Sequence, residues 1–233
     1  RAIGPIGADR LIWSQDGLRV EVDGLDLDHS PTSLLGGEVN ISGIKIARIL
    51  VQLPPPVDEP TAPADPGPFR LDLPALDLPV DIRSARVEIG QIEIHDAEGT
   101  VLLQSDLVVD SLSVIGPVAE LKGLRSEIVD RGVVQLDLRL DTAQAWAGEV
   151  DLLAQLAAPL NSEIVLRSEG DLSALRLHLQ SEGELDGQAT IELSDLPTEP
   201  TWRSELTLAL GEQAELRNSL PPGPVNAELS GSG

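Results

Sequence analysis

The side chains best able to do chemistry are His29, His95 and His178, because imidazole alone changes charge near neutral pH without help from its surroundings. They stand far apart in the chain. His178 lies between Leu177 and Leu179, where alternation assigns it to the wet face of a strand, and all three are read as surface residues rather than bases or ligands. Asp23, Asp26 and Asp28 invite a calcium reading, yet they lack the D-x-D-x-D-G spacing and distal glutamate of an EF-hand loop. Alternation with Leu25 and Leu27 accounts for Asp26 and Asp28 as solvated positions, so no metal site is expected. With no cysteine there is no thiolate nucleophile, thiolate metal ligand or disulfide. The chain has no G-x-S-x-G elbow, no phosphate-cradling glycine loop and no H-E-x-x-H pair. Neither an enzyme nor a bound cofactor is expected. Asn40-Ile41-Ser42 is a formal glycosylation sequon inside a strand pattern and locates nothing.

The elements that must carry these residues are built almost wholly from aliphatic material. Of 233 residues 41% are hydrophobic, 39 are leucine, and only Trp13, Trp146, Trp202 and Phe69 are aromatic. That disfavours carbohydrate and base-stacking sites, which lean on aromatic platforms. The formal charge of −23 repels phosphate backbones and anionic headgroups at long range, which makes nucleic acid a poor partner. No run approaches the ~20 apolar residues of a membrane-spanning helix, and Arg1 to Arg10 carry no signal-peptide pattern. Opening on Arg1 without a methionine, the chain is expected to be a piece of something longer, in which a missing anchor would not be visible.

Period-two alternation dominates. Leu18, Val20 and Val22 alternate with Arg19 and Glu21, and Leu136, Leu138 and Leu140 with Asp137 and Arg139. Leu175, Leu177 and Leu179 alternate with Arg176 and His178. In two places the parity slips by one across a glycine, from Val39 and Ile41 through Gly43 to Ile44 and Ile46, and from Val87 and Ile89 through Gly90 to Ile92 and Ile94. A bulge at each glycine would return the apolar residues to one face. Ser30 to Leu35, with Pro31 and the stop Gly36-Gly37, predicts one short helix, and Thr142 to Trp146 is a weaker second candidate. Pro54 to Pro68 reads as an exposed, disordered insertion that can be deleted or shortened with little loss of stability. Turns then recur as in a meander, giving about a dozen strands and an all-β fold. One face of this sheet is aliphatic over nearly its whole area. It folds into a sandwich, closes into a barrel, or curls into a trough filled by an apolar ligand. Pattern alone favours the first two. A trough suits acyl chains, whose transfer from water is worth ~0.8 kcal/mol per CH₂.

The run Val22 to Pro54, VDGLDLDHSPTSLLGGEVNISGIKIARILVQLP, resembles the opening region of the TamB family within the AsmA-like group of bacterial envelope proteins. There a proline-rich insertion follows, then "LP...LPL.I....V.I....I". This chain supplies Leu73 to Ile82 and Val87 to Ile94 in that order. Gly148 to Leu160 and Gly183 to Leu193 are similar to the family's repeated "G.L.L...L..PL" and "G.L.G...L.L" strands. The resemblance implies a single elongated segment over residues 1–233, a long curved open antiparallel sheet with a hydrophobic inner face and one short helix, set in the periplasm of a diderm bacterium. It implies an inner-membrane anchor and an outer-membrane barrel partner, TamA, both engaged through regions absent here. It also implies a role in moving phospholipid to the outer membrane and supporting outer-membrane protein assembly. On that reading acyl chains lie against Val20, Val22, Ile44, Ile46, Val87, Ile89, Leu136, Leu138, Leu177 and Leu179. A structural or adhesive β domain, and a chaperone sheltering outer-membrane strands, are the alternatives.

Overall fold

Fifteen β-strands and no helix make up the described residues of the computed structural model, which are 6–15, 17–30, 38–55, 78–196, 200–210 and 225–232. They group into two compact units, the first holding β1 to β7 and most of β8, the second β9 to β15. The short helix expected at Ser30 to Leu35 and nearly all of the insertion at Pro54 to Pro68 lie outside the described residues.

In the first unit β1 (Ile6–Gln15), β2 (Leu18–Ser30) and β3 (Glu38–Gln52) form an antiparallel meander. β4 (Asp81–Ser84) and β5 (Val87–His95) then follow one another along β3, and both run parallel to it. This differs from the antiparallel sheet expected. A parallel pair needs a crossover of a dozen or more residues, and residues 53–80 provide it. β6 (Val101–Val109) returns antiparallel on β5, β7 (Ser111–Ile115) does so on β4, and β8 (Val118–Ile128) neighbours both β6 and β7. β4 with β5, and β6 with β7, therefore act as two long strands, each interrupted once.

The second unit is an unbroken antiparallel meander in chain order. It comprises β9 (Gly132–Asp141), β10 (Ala147–Leu156), β11 (Ser162–Asp171), β12 (Ala174–Gly183), β13 (Leu185–Ser194), β14 (Thr201–Leu210) and β15 (Val225–Ser232). Aspartates shape its tight connections. Asp171 accepts from the backbone N–H groups of Ser173 and Ala174 at 2.7 and 3.0 Å, which closes the turn between β11 and β12. The candidate helix at Thr142 to Trp146 is instead the turn between β9 and β10. Ala145 and Trp146 both take left-handed φ, 53° and 60°, which no right-handed helix can continue through. Asp141 ties that turn by accepting from Ala143 N at 3.1 Å and Gln144 Nε2 at 2.6 Å.

Neither unit closes into a barrel, since β1 pairs only with β2 and β15 only with β14 among the described residues. Among the described residues neither is a sandwich. The elements that pack closely are in-sheet neighbours, and among the described apolar residues only Ile89, Val109 and Ala154 are fully buried. The all-β, open-sheet expectation is the fold observed.

Candidate apolar binding face

Cross-strand partners project from the same side of a sheet, so the register sorts the side chains into rows. In the second unit one row holds Leu136, Leu152, Leu166, Leu179, Ala189 and Leu206, and the next holds Leu138, Val150, Ser168, Leu177, Ile191 and Ser204. Val134, Ala154 and Ile164 continue the face on one flank, and Leu175, Leu193 and Trp202 on the other. Six strands at ~4.8 Å make such a row about 24 Å long. Apart from Ala154 these apolar residues are not fully buried. Lateral neighbours shield them, and no second layer does among the described residues.

The opposite face of this unit is charged. Arg139, Glu149, Glu169, Arg176, Glu192 and Arg203 form a single cross-strand row, all exposed, with Arg176 bridging Glu192 at 3.0 Å and Glu169 at 3.9 Å. His178 sits on this wet face as expected, exposed and 3.3 Å from Thr190 Oγ1.

The first unit builds its aliphatic face differently. Four rows cross its strands: Trp13, Val20, Val51, Ile94 and Leu103; Leu11, Val22, Ile49 and Ile92; Ala8, Leu25, Ile46, Ile89 and Leu107; and Ile6, Leu27, Ile44, Val87 and Val109. In β1, β2, β3 and β5 the second and third rows are separated by a step of three residues where alternation requires two, while β6 keeps a step of two, from Leu107 to Ser105 opposite Ile92, and its register with β5 shifts there. At that level pairing is interrupted in each ladder, at Asp9, Gly24, Ala47, Gly90 with Gln91, and Asp106. These interruptions line up as a seam across the sheet. Gly24 crosses it with φ +63°, and a Cβ there would stand 2.8 Å from the Cβ of Ala47. One extra residue in each of β1, β2, β3 and β5 at a shared level holds the apolar rows to one side, and the register shift between β5 and β6 absorbs the difference at β6.

A second seam repeats the device nearer the Asn40 end of β3. Ser42 and Gly43 bulge against Asp28 and His29, the chain breaks step at Ala85 and Arg86, and Asp110 interrupts the strand made by β6 and β7. The bulges read at Gly43 and Gly90 are thus observed, as two points on two seams.

The polar side of the first unit holds two ion clusters. Glu21, 5% exposed, accepts from both Arg10 and Arg19, and the hydrogen bond from Arg10 is the main reason its carboxyl is held below the ordinary glutamate range. Arg48 Nη2 donates to Glu93 Oε2 at 2.6 Å and likewise depresses the Glu93 carboxyl, with Gln91 and His95 at 2.8 and 3.2 Å. His29 Nδ1 and Ser84 Oγ, on the row that includes Ile41, are buried without a hydrogen-bond partner among the described residues. No cluster of three or more potential metal ligands occurs among the described residues.

The ten residues predicted to line an acyl path fall into two sets. Leu136 shares a row with Leu179, and Leu138 with Leu177, in the second unit. Ile44 shares a row with Val87, and Ile46 with Ile89, in the first, while Val20 and Val22 stand on the two rows beyond the seam. The selection omitted Ile49, Val51, Leu152 and Leu166, which complete the same rows. For the first pair the signal was present in sequence as the repeated steps of two and three. The Arg48–Glu93 pair carried no local signal, because its members lie 45 residues apart. No family model, no curated protein and no solved structure matches the chain.

Proposed function

We propose that this chain is a segment of hydrophobic groove that binds acyl chains and conducts phospholipid between the membranes of a diderm bacterium. On this reading it works in the periplasm of such a cell, in support of outer-membrane protein assembly, as the resemblance to the TamB family implies. TamA would be its outer-membrane partner, through regions absent here. One observation supports this most: the continuous aliphatic rows of the second unit, with no second layer over them among the described residues. A contiguous apolar surface of this kind marks a binding surface. An acyl chain is its natural complement, since the rows offer few hydrogen-bonding groups, Ser168 and Ser204 among them, and a single aromatic, Trp202. Each methylene transferred onto the rows contributes ~0.8 kcal/mol or less, depending on how completely it is covered. The charged opposite face keeps the sheet soluble and fixes which side takes lipid.

The reading is tested by titrating the protein with a fluorescent fatty acid and then displacing the probe with phospholipid. Saturable uptake, displaced by phospholipid and insensitive to Arg139→Leu on the charged face, is the expected result. Absence of uptake, or uptake that soluble peptides displace and phospholipid does not, would reject lipid conduction in favour of a chaperone.

A further inference from the structure

Side chains able to hydrogen-bond are spread unevenly over the aliphatic face of the second unit. On the flank through Val134, Ala154 and Ile164 the next cross-strand partner is Ser181, which is buried and donates its hydroxyl to the Leu185 carbonyl at 2.6 Å. It has nothing to offer a ligand. The row through Leu136 has no polar side chain from β9 to β14. The row through Leu138 holds Ser168 and Ser204, both half-buried, and the flank beyond it reaches Trp202, 40% exposed. Neither hydroxyl nor the indole N–H makes a hydrogen bond among the described residues. Toward that flank the next residue on the same face of β11 is Gly170, which has no side chain to cover the Ser168 hydroxyl, and on β14 it is Trp202 itself. Among the described residues, every side-chain donor that a ligand can reach on this face thus lies on two adjacent rows toward one set of strand ends. The other two rows present only aliphatic groups.

From this we infer that the second unit holds acyl-ester lipids in one orientation, with the ester carbonyls at Ser168 or at Ser204 and Trp202, and the hydrocarbon running along the strands toward Ala154 and Ile164. This orientation presupposes the acyl-binding reading above and adds which end of the lipid goes where. An ester carbonyl only accepts hydrogen bonds, which matches hydroxyl and indole groups that can all donate. Laid on the Leu136 row instead, the same carbonyl would give up its hydrogen bonds to water and gain none, a cost that hydrocarbon does not carry. A free carboxylate suits the site less well, since the charge of −23 repels an anion. Ser168 and Ser204 stand three strands apart, about 14 Å at the usual spacing, and so mark two positions along the face.

An ester-linked phospholipid and its ether-linked counterpart, identical in chains and headgroup but without the carbonyls, are compared as displacers of a fluorescent hydrocarbon probe. The ester lipid is expected to bind the parent about fivefold tighter, and the ratio to fall toward one in the double variant Ser168→Ala, Ser204→Ala. Orientation is read from the quenching of Trp202 by brominated ester lipids, isolated by subtracting the signal of Trp202→Phe. Bromine near the ester is expected to quench Trp202 more than bromine at the chain end. Equal affinity for ester and ether lipid in the unaltered protein overturns the orientation while leaving the acyl face standing. An ester preference that survives in the folded double variant also overturns it, as does quenching that is equal or stronger from the chain end. Binding of neither lipid overturns both this orientation and the acyl-binding reading.

Discussion

At the scale of single residues, the carboxylates on the polar side of the first unit set its response to acid. Glu21 and Glu93 are both held below the ordinary range, chiefly by hydrogen bonds from Arg10 and Arg48. A carboxyl whose folded value lies below its unfolded value of about 4.3 contributes stability above that value and loses it as pH falls through the folded one. The double variant Glu21→Gln, Glu93→Gln should therefore show a flatter stability profile than the parent below about pH 4.3, with the other carboxylates cancelling in the comparison. Urea unfolding at pH 6 and pH 3 measures it, and parallel profiles would contradict the assignment. Glycines differ in the same testable way. Gly24→Ala forces a side chain into left-handed backbone against Ala47 and should cost about 1 to 2 kcal/mol. Gly43→Ala meets nothing within 4 Å and should change stability by less than about 1 kcal/mol. The alternation fixes which residues are wet and which are apolar, and so His178 was placed from sequence alone. Partners such as Arg48 and Glu93 were not, because their meeting depends on β5 lying parallel to β3.

At the scale of elements, alternation and turn residues are local and were legible, as were the two glycine bulges. The crossover was not, because nothing in the 53–80 sequence says that the chain must return to the start of β3. That return limits how far the insertion can be shortened. β4 begins opposite Glu38 and β3 ends at Gln52, so the connection must span about 46 Å at ~3.3 Å per residue. Deleting all of Pro54 to Pro68 leaves about 13 residues, whose fully extended reach of ~3.3–3.6 Å each only just covers that span. Removing about six residues should leave the unfolding midpoint almost unchanged. Removing the full stretch should lower it clearly or abolish the pairing of β3 with β4. Equal tolerance of both deletions would contradict the parallel arrangement. The weak helix read at Thr142 to Trp146 failed for a similar reason: a tight hairpin between Asp141 and Ala147 overrides the local preference of the residues inside it.

At the scale of the molecule, an aliphatic sheet face and a charge of −23 belong to one design, in which the polar side supplies solubility and the apolar side remains available. That the face is open rather than the inside of a sandwich could not be read from the pattern, since alternation looks the same in both. The central claim is that acyl chains, not a second protein layer, cover these rows. It is tested most directly at Leu138, on β9, the first strand of the second unit's face. On an open face an arginine there reaches water with its head, so Leu138→Arg should cost about 1 kcal/mol, a Tm shift of roughly 2 to 4 °C. In a closed core the same unpaired charge would cost several kcal/mol. Native mass spectrometry of the purified parent and of Leu138→Arg, taken with their unfolding temperatures, reads both terms at once. Bound phospholipid on the parent, lost from a variant that remains folded, is the predicted result; a parent free of lipid, together with a variant that unfolds, would contradict the account.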